Sequence, residues 1–242
     1  MPDHNPHPVV ALVLAGGTGS RMGYPKQFID LLGMPALLHT LRAFEEARGV
    51  ARIYVVGDAG RVERLAREAG MSKYAGCSPS GESRSLSTRN GLSLLDREGP
   101  ETLVLVHDGS RCLVTRELVE RVVVVARSGA ADGVIPALPV SDTIKVVADG
   151  TVIETLDRTK LHAVQTPQAF RLDLLRKLCA GPEDRLHGAT DDASLVEAAG
   201  GRVLVVRGEK TNIKLTTPED LILAEAILDA RTAPEQEHKA EL

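Results

Sequence analysis

Aromatic residues make up only 2% of the 242 residues, and tryptophan is absent. A chain with so few rings has no stacking platform for bases, which argues against single-stranded nucleic-acid binding. Its core must be filled by aliphatic residues and alanine; hydrophobic residues reach 43%. A basic excess is missing too. The formal net charge of −4 gives no footprint for nucleic acid or an anionic membrane, so neither is expected as a partner. Cysteine is scarce: Cys77, Cys112 and Cys179 lie far apart, in neither a disulfide framework nor a zinc spacing. The seven histidines are scattered, and no structural metal is expected. No apolar run is long enough to span a bilayer, and the stretch 1–8 is polar rather than signal-like. These absences leave a cytoplasmic protein as the expectation.

The stretch that is rich in information runs from Val9 to Gln27, V-V-A-L-V-L-A-G-G-T-G-S-R-M-G-Y-P-K-Q. Its apolar run 9–14, closed by glycines, reads as a strand buried on both faces. Residues 15–19 then carry almost no side-chain bulk, so the backbone can approach a ligand and turn N–H groups toward anionic oxygens. Arg21 and Lys26 follow as fixed cations. Strand, bare loop and two cations describe a polyphosphate cradle; the plainer alternative is a glycine-rich turn with both cations solvated. A P-loop is excluded, because no Lys-Ser or Lys-Thr follows the glycines. A dinucleotide fingerprint starting at Gly17 fails at Met22, since Gly23 comes one residue late.

Hydrophobic periodicity predicts helices over 36–47, 61–69, 83–95, 117–127, 172–179 and 218–228. Apolar runs predict strands over 53–56, 103–107, 134–137 and 203–206, with a short one at 212–214 and an irregular stretch at 73–81. Thr190-Asp191-Asp192 reads as a helix start with Thr190 as cap, and Thr217 with Pro218 as another. The alternation predicts an α/β fold, Rossmann-like, with a mostly parallel sheet and helices on both faces. Ligands in such sheets sit at the carboxyl ends of strands, where the cradle and Asp108 lie. The stretch 139–163 breaks the rhythm. Segments 143–147 and 151–156 flank Ala148-Asp149-Gly150, which describes an inserted β-arm. An isolated hairpin is marginal in water, and a second copy of the arm is the simplest cover for it. One domain over 1–242 is expected, with flexible tails at 1–8 and 232–242.

The pattern L-A-G-G-x-G-x-R-M followed by P-K-Q resembles the signature of sugar-nucleotide pyrophosphorylases and cytidylyltransferases. Later motifs narrow the resemblance. They are Gly81-Glu82-Ser83-Arg84 with Ser87, His107-Asp108-Gly109-Ser110-Arg111, Asp142-Thr143-Ile144-Lys145, Asp157-Arg158, Gln165-Thr166-Pro167-Gln168, Thr190 to Glu197, and Asn212-Ile213-Lys214. In this order, over about Val9 to Leu228, they resemble the 2-C-methyl-D-erythritol 4-phosphate cytidylyltransferase family. The nearest rival is a ribitol 5-phosphate cytidylyltransferase, and a catalytically silent nucleotide-binding regulator is the alternative of another class. Two departures stand out: Gly16 replaces the second of two alanines, and Cys112 follows Arg111 where the pattern has proline.

The resemblance implies transfer of CMP from CTP to a sugar-alcohol phosphate, with Mg²⁺ or another divalent cation bound mainly through the CTP phosphates. It implies Arg21, Lys26, Arg158 and Lys214 as catalytic cations. The nucleotide site would be Ala15, Gly16, Gly17, Gly19, Gly81, Glu82, Arg84 and Ser87. The second substrate would meet Asp108, Arg111, Thr143, Thr166 and Thr190. Some roles stay open between what the resemblance implies and what the residues alone allow. Asp108 is a carboxylate for the metal, a helix cap, or a contact to the sugar phosphate. Lys214 is a phosphate ligand or an exposed lysine. Arg158 serves a neighbouring subunit's site or pairs with Asp157 or Glu154. Thr190 is a pure cap or a cap that touches substrate. Cys112 and His107 are assigned to structure. A homodimer through the arm is expected, with shared active sites.

Overall fold

In the computed structural model, residues 8–17 and 25–232 are described. The chain begins with β1 (Val9–Leu14), the two-residue strands β2 (Asp30–Leu31) and β3 (Met34–Pro35), α1 (Ala36–Glu46) and β4 (Val50–Val56). It continues with α2 (Ala59–Glu68), β5 (Tyr74–Ser78), α3 (Arg84–Leu92), β6 (Leu103–Asp108), α4 (Arg116–Arg127) and β7 (Gly133–Pro139). The arm strands β8 (Lys145–Ala148) and β9 (Thr151–Thr155) follow, then β10 (His162–Val164) and β11 (Gln168–Arg171). The chain closes with α5 (Leu172–Cys179), α6 (Glu183–Gly188), α7 (Asp192–Ala198), β12 (Val203–Arg207) and α8 (Pro218–Thr232).

The eight-stranded main sheet runs β10-β7-β11-β6-β1-β4-β5, with β12 on the other edge of β7. β1 pairs in parallel with both β4 and β6, as a strand buried on two faces should. Its side chains alternate. Val9, Ala11 and Val13 enter a core with α1, α2 and α4, while Val10 and Leu12 enter a second core with α3, α5 and α7. Aliphatic residues dominate both, as the near absence of rings requires. A third cluster, with Leu31, Leu113, Leu215 and Leu228, seats α8. The sheet is mostly parallel, but β10 and β11 run antiparallel to β7, and β11 antiparallel to β6.

Several expected elements are corrected. The stretch 73–81 holds β5, which extends the sheet beside β4 despite Gly76 in its middle. Segment 212–214 is not a strand; Asn212 is instead held by Gln165, Arg111 and Thr166. The cap of α7 is Asp191, whose carboxylate accepts the Ser194 N–H, and Thr190 is exposed. At α8, Asp220 reaches back to the N–H groups of Thr216 and Thr217. The arm is a two-stranded antiparallel hairpin turning at Asp149 and Gly150, both in the left-handed region that Asp-Gly supplies in a type I′ turn. Every residue of β8 and β9 is exposed.

A cationic cleft at the strand ends

The carboxyl ends of β1, β5 and β6 open into a cleft of about 650 Å³. Ala15, Gly16 and Gly17 form one wall, Ser80 to Arg84 with Ser87 the opposite one, and Asp108 and Ser110 the floor. Lys26, Gln27, Lys214 and Thr216 close it from two further segments.

Each part is fixed by its own local chemistry. Ala15 N–H donates to Val56 O at 2.7 Å, which ties the bare loop to β4. Gln27 donates to Gly17 O at 3.2 Å and links that loop to the 3-10 turn carrying Lys26. In the opposite wall, Ser83 caps α3 by accepting the Leu86 N–H. Ser87 accepts the Gly81 N–H at 3.0 Å and donates to Ser83 O at 2.9 Å, so its hydroxyl folds the loop. Gly81 is needed as glycine, since a Cβ there would stand 2.6 Å from Leu86 Cβ.

The floor is an ionic chain. Arg84 Nε donates to Asp108 Oδ1 at 2.9 Å, and its Nη1 to Asp192 Oδ2 at 2.6 Å. Lys214 Nζ donates to Asp108 Oδ2 at 2.8 Å. Burial alone would raise the Asp108 pKa, but Arg84 and Lys214 outweigh it and hold the carboxyl well below its usual range. Burial likewise disfavours the Arg84 charge, and the two carboxylates more than compensate. Lys26 Nζ donates to the carbonyls of Leu215 and Thr216. The cleft thus holds Lys26, Arg84 and Lys214 in fixed positions, two of them through ion pairs with Asp108.

Behind the floor lies His107, fully buried against Phe44. Its Nε2 faces Arg111 O at 3.2 Å, and a carbonyl only accepts, so Nε2 carries the proton. Nδ1 then accepts from the Thr166 hydroxyl at 3.0 Å, while Thr166 Oγ1 accepts the Asp108 N–H at 3.0 Å. Burial pushes the His107 pKa down to about 3. Between about 3 and the ordinary 6.5 the unfolded chain binds a proton that the folded chain refuses, so stability falls as pH falls. Lowering the pH from about 7 to 5 is expected to cost about 2 kcal/mol through this residue. Asp108 acts with the same sign, but only below the ordinary carboxylate pKa of 3.8. Melting temperatures across pH 5–7 check this; a His107→Gln variant with an undiminished slope would refute it.

The cleft brings together Ala15, Gly16, Gly17, Lys26, Gly81, Glu82, Arg84, Ser87, Asp108 and Lys214. Arg21 and Gly19 lie outside the described residues. Asp108 does not cap a helix, since α4 starts at Arg116 with Thr115 as its cap. Lys214 is half exposed yet ion-paired. Thr166 is buried and spends its hydroxyl on His107 and Asp108. Arg111 donates to Asn212 O and Val164 O, clamping the segment before Lys214 to β10. Thr143 and Arg158 are exposed at the arm, and Arg158 donates to Ser141 O at 2.7 Å. Asp157 is approached instead by Lys160, at 3.8 Å.

Asp192 is the residue that sequence reasoning passed over. It reads as an ordinary first-turn acid, yet it is fully buried and anchors Arg84. Gln168 braces the same helix start, donating to Asp191 and accepting the Ala193 N–H. The second glutamine of Q-T-P-Q, read together with T-D-D, was the available signal. Among the described residues no three His, Cys, Asp or Glu side chains converge as a metal site, and no helix is long and apolar enough to cross a membrane.

Comparison with known proteins gives the same reading. The profile of the family described as IspD, 2-C-methyl-D-erythritol 4-phosphate cytidylyltransferase, matches residues 9–230. A protein of that name from Rubrobacter xylanophilus is 64% identical over 222 residues, covering 92% of this chain and 95% of its own. One from Bacillus licheniformis is 43% identical over 225 residues, covering 90% and 95%. Among solved structures, 4-diphosphocytidyl-2C-methyl-D-erythritol synthase from Anaerococcus prevotii superposes with a TM-score of 0.78 at 32% identity, covering 92% of this chain and 96% of that one. The cytidylyltransferase from Thermus thermophilus gives 0.72 at 33% identity, covering 90% and 98%. With the profile spanning nearly all described residues and the cationic cleft in place, the chain belongs to the 2-C-methyl-D-erythritol 4-phosphate cytidylyltransferase family.

Proposed function

We propose that the cleft at the ends of β1, β5 and β6 is where this chain performs its family's reaction. That reaction transfers CMP from CTP to 2-C-methyl-D-erythritol 4-phosphate in isoprenoid precursor synthesis. A phosphate oxygen of the acceptor attacks the α-phosphorus of CTP, the bond from the α-phosphorus to the β-bridging oxygen breaks, and pyrophosphate leaves. No covalent enzyme intermediate is needed, so positioning and charge neutralisation carry the catalysis. The observation that supports this most is the convergence of Lys26, Lys214 and Arg84 on one glycine-walled cleft.

The glycine loop and the wall 80–87 bracket the nucleotide, with Lys26 and Arg21 at its phosphates. Asp108 holds Lys214 where the acceptor phosphate would meet the α-phosphorus. Mg²⁺ fits this donor set: among the described lining residues the carboxylates are Glu82 and the ion-paired Asp108, and Mg²⁺ prefers phosphate oxygens and retained waters. It would supply further neutralisation of the triphosphate. Arg158 and Thr143 serve the acceptor end from the neighbouring subunit of a homodimer. The exposed Val146, Val147, Val152 and Ile153 of the arm support this assembly, because paired arms would cover them.

The test is pyrophosphate release from CTP, Mg²⁺ and 2-C-methyl-D-erythritol 4-phosphate, run beside ribitol 5-phosphate and with UTP in place of CTP. Turnover is expected with the methylerythritol acceptor and CTP. A base site rejects analogues that leave its polar groups unpaired, so UTP should be at least about tenfold poorer in kcat/KM. Equal turnover with UTP would refute the assignment of 81–87 to the base, and preference for ribitol phosphate would refute the acceptor.

A further inference from the structure

The two walls of the cleft touch at Gly16. A Cβ on that residue would overlap the Cβ of Ser80 and stand 2.7 Å from its Oγ and 3.4 Å from its Cα. The position of a Cβ follows from the backbone, so no rotamer change at Ser80 relieves this overlap. One backbone would have to withdraw, and both are tethered. On the glycine wall, Ala15 N–H is held by Val56 O, and Gly109 N–H by Leu14 O at 2.8 Å. On the other, Gly57 N–H is held by Ser78 O at 2.8 Å, Gly81 N–H by Ser87, and Ser83 caps α3.

We infer that Gly16 and Ser80 form a size-coupled pair that sets the clearance of the nucleotide cleft where its walls meet. Ser80 occupies the space that a methyl group on residue 16 would take. Ser80 lines the cleft, and a serine hydroxyl both donates and accepts. The departure at Gly16, where the family pattern carries alanine, thereby acquires a structural counterpart on the facing loop. Ser80 is a positioning residue here, acting on nucleotide binding through the width of the cleft.

This inference rests on the cleft being the CTP site. Three variants test it: Gly16→Ala, Ser80→Gly and the double. Gly16→Ala is expected to raise the CTP Kd and KM about tenfold or more, with the KM for the acceptor little moved. Adding Ser80→Gly should bring CTP binding back to within about threefold of the native chain. Such recovery, confined to CTP, is not what general destabilisation gives. If Gly16→Ala binds CTP as the native chain does, or the double variant is no better than Gly16→Ala, the coupling is overturned. If Gly16→Ala fails to fold, recovery of its melting temperature by Ser80→Gly reads the same coupling, and no recovery overturns it. Lys26→Ala separates the premise from the inference. CTP binding unchanged in both Lys26→Ala and Gly16→Ala would show that the cleft is not the CTP site.

Discussion

Lys26→Ala is expected to lower kcat about 10²- to 10³-fold, the loss that follows removal of one preorganised donor to developing negative charge. The fold should hardly notice. Lys26 sits on a 3-10 turn beside the cleft, and its Nζ donates to the backbone carbonyls of Leu215 and Thr216 at 3.2 and 3.3 Å. Gln27 and Phe28 secure that turn independently. Gln27 bonds Gly17 O, and Phe28 packs on the core beneath Arg61, whose guanidinium stands 4.2 Å from the ring centre. Steady-state kinetics and thermal melting check both halves. A kcat within threefold of native would remove Lys26 from the reaction, and a collapsed melt would make it structural. Arg21→Ala is expected to behave alike.

Mixing two inactive chains should restore activity. On the proposed shared site, Arg158→Ala would remove the acceptor contact delivered by the neighbouring subunit, and Lys26→Ala the phosphate contact within a subunit. A hybrid dimer then keeps one site with both cations and one with neither. Random exchange should therefore recover about a quarter of native activity. The expectation follows from where Arg158 lies: on the exposed arm, bonded to Ser141 O, and not among the residues lining its own chain's cleft. No recovery in hybrids shown by mass to have exchanged subunits would defeat the shared site. So would a monomer in sedimentation at assay concentration.

The parts legible in the sequence were those dictated by local pattern. An unbroken run from Val9 to Leu14 has one stable home, a strand covered on both faces, and that is where it lies. Bare glycines after such a strand mark a ligand loop, and Ala15 to Gly17 form one cleft wall. The misses came from contacts distant in sequence. The strand at Tyr74–Ser78 has weak alternation and a central glycine, and pairs because β4 offers it an edge. Asn212 to Lys214 looked like a strand by composition, but the side chains of Gln165 and Arg111 donate to Asn212 O, and the Thr166 carbonyl accepts from the Asn212 amide. Asp192 could not be distinguished from a surface acid, because only Arg84, brought from 108 positions away, explains its burial. Thr166, expected at the substrate, has its hydroxyl bonded to His107 and to the Asp108 N–H, a pairing that its sequence neighbours do not reveal.

The arm leaves and rejoins the sheet at one spot. Val140 N–H donates to Leu161 O at 3.1 Å, and Pro139 pairs with His162 in register. Everything between those residues hangs from a single neck, and both sides of the neck are locked by the sheet. A change of length within the arm therefore leaves strand order and the glycine loop undisturbed. On the proposed assembly, the arm that meets the acceptor and the partner subunit is thus joined to the nucleotide half through this neck alone.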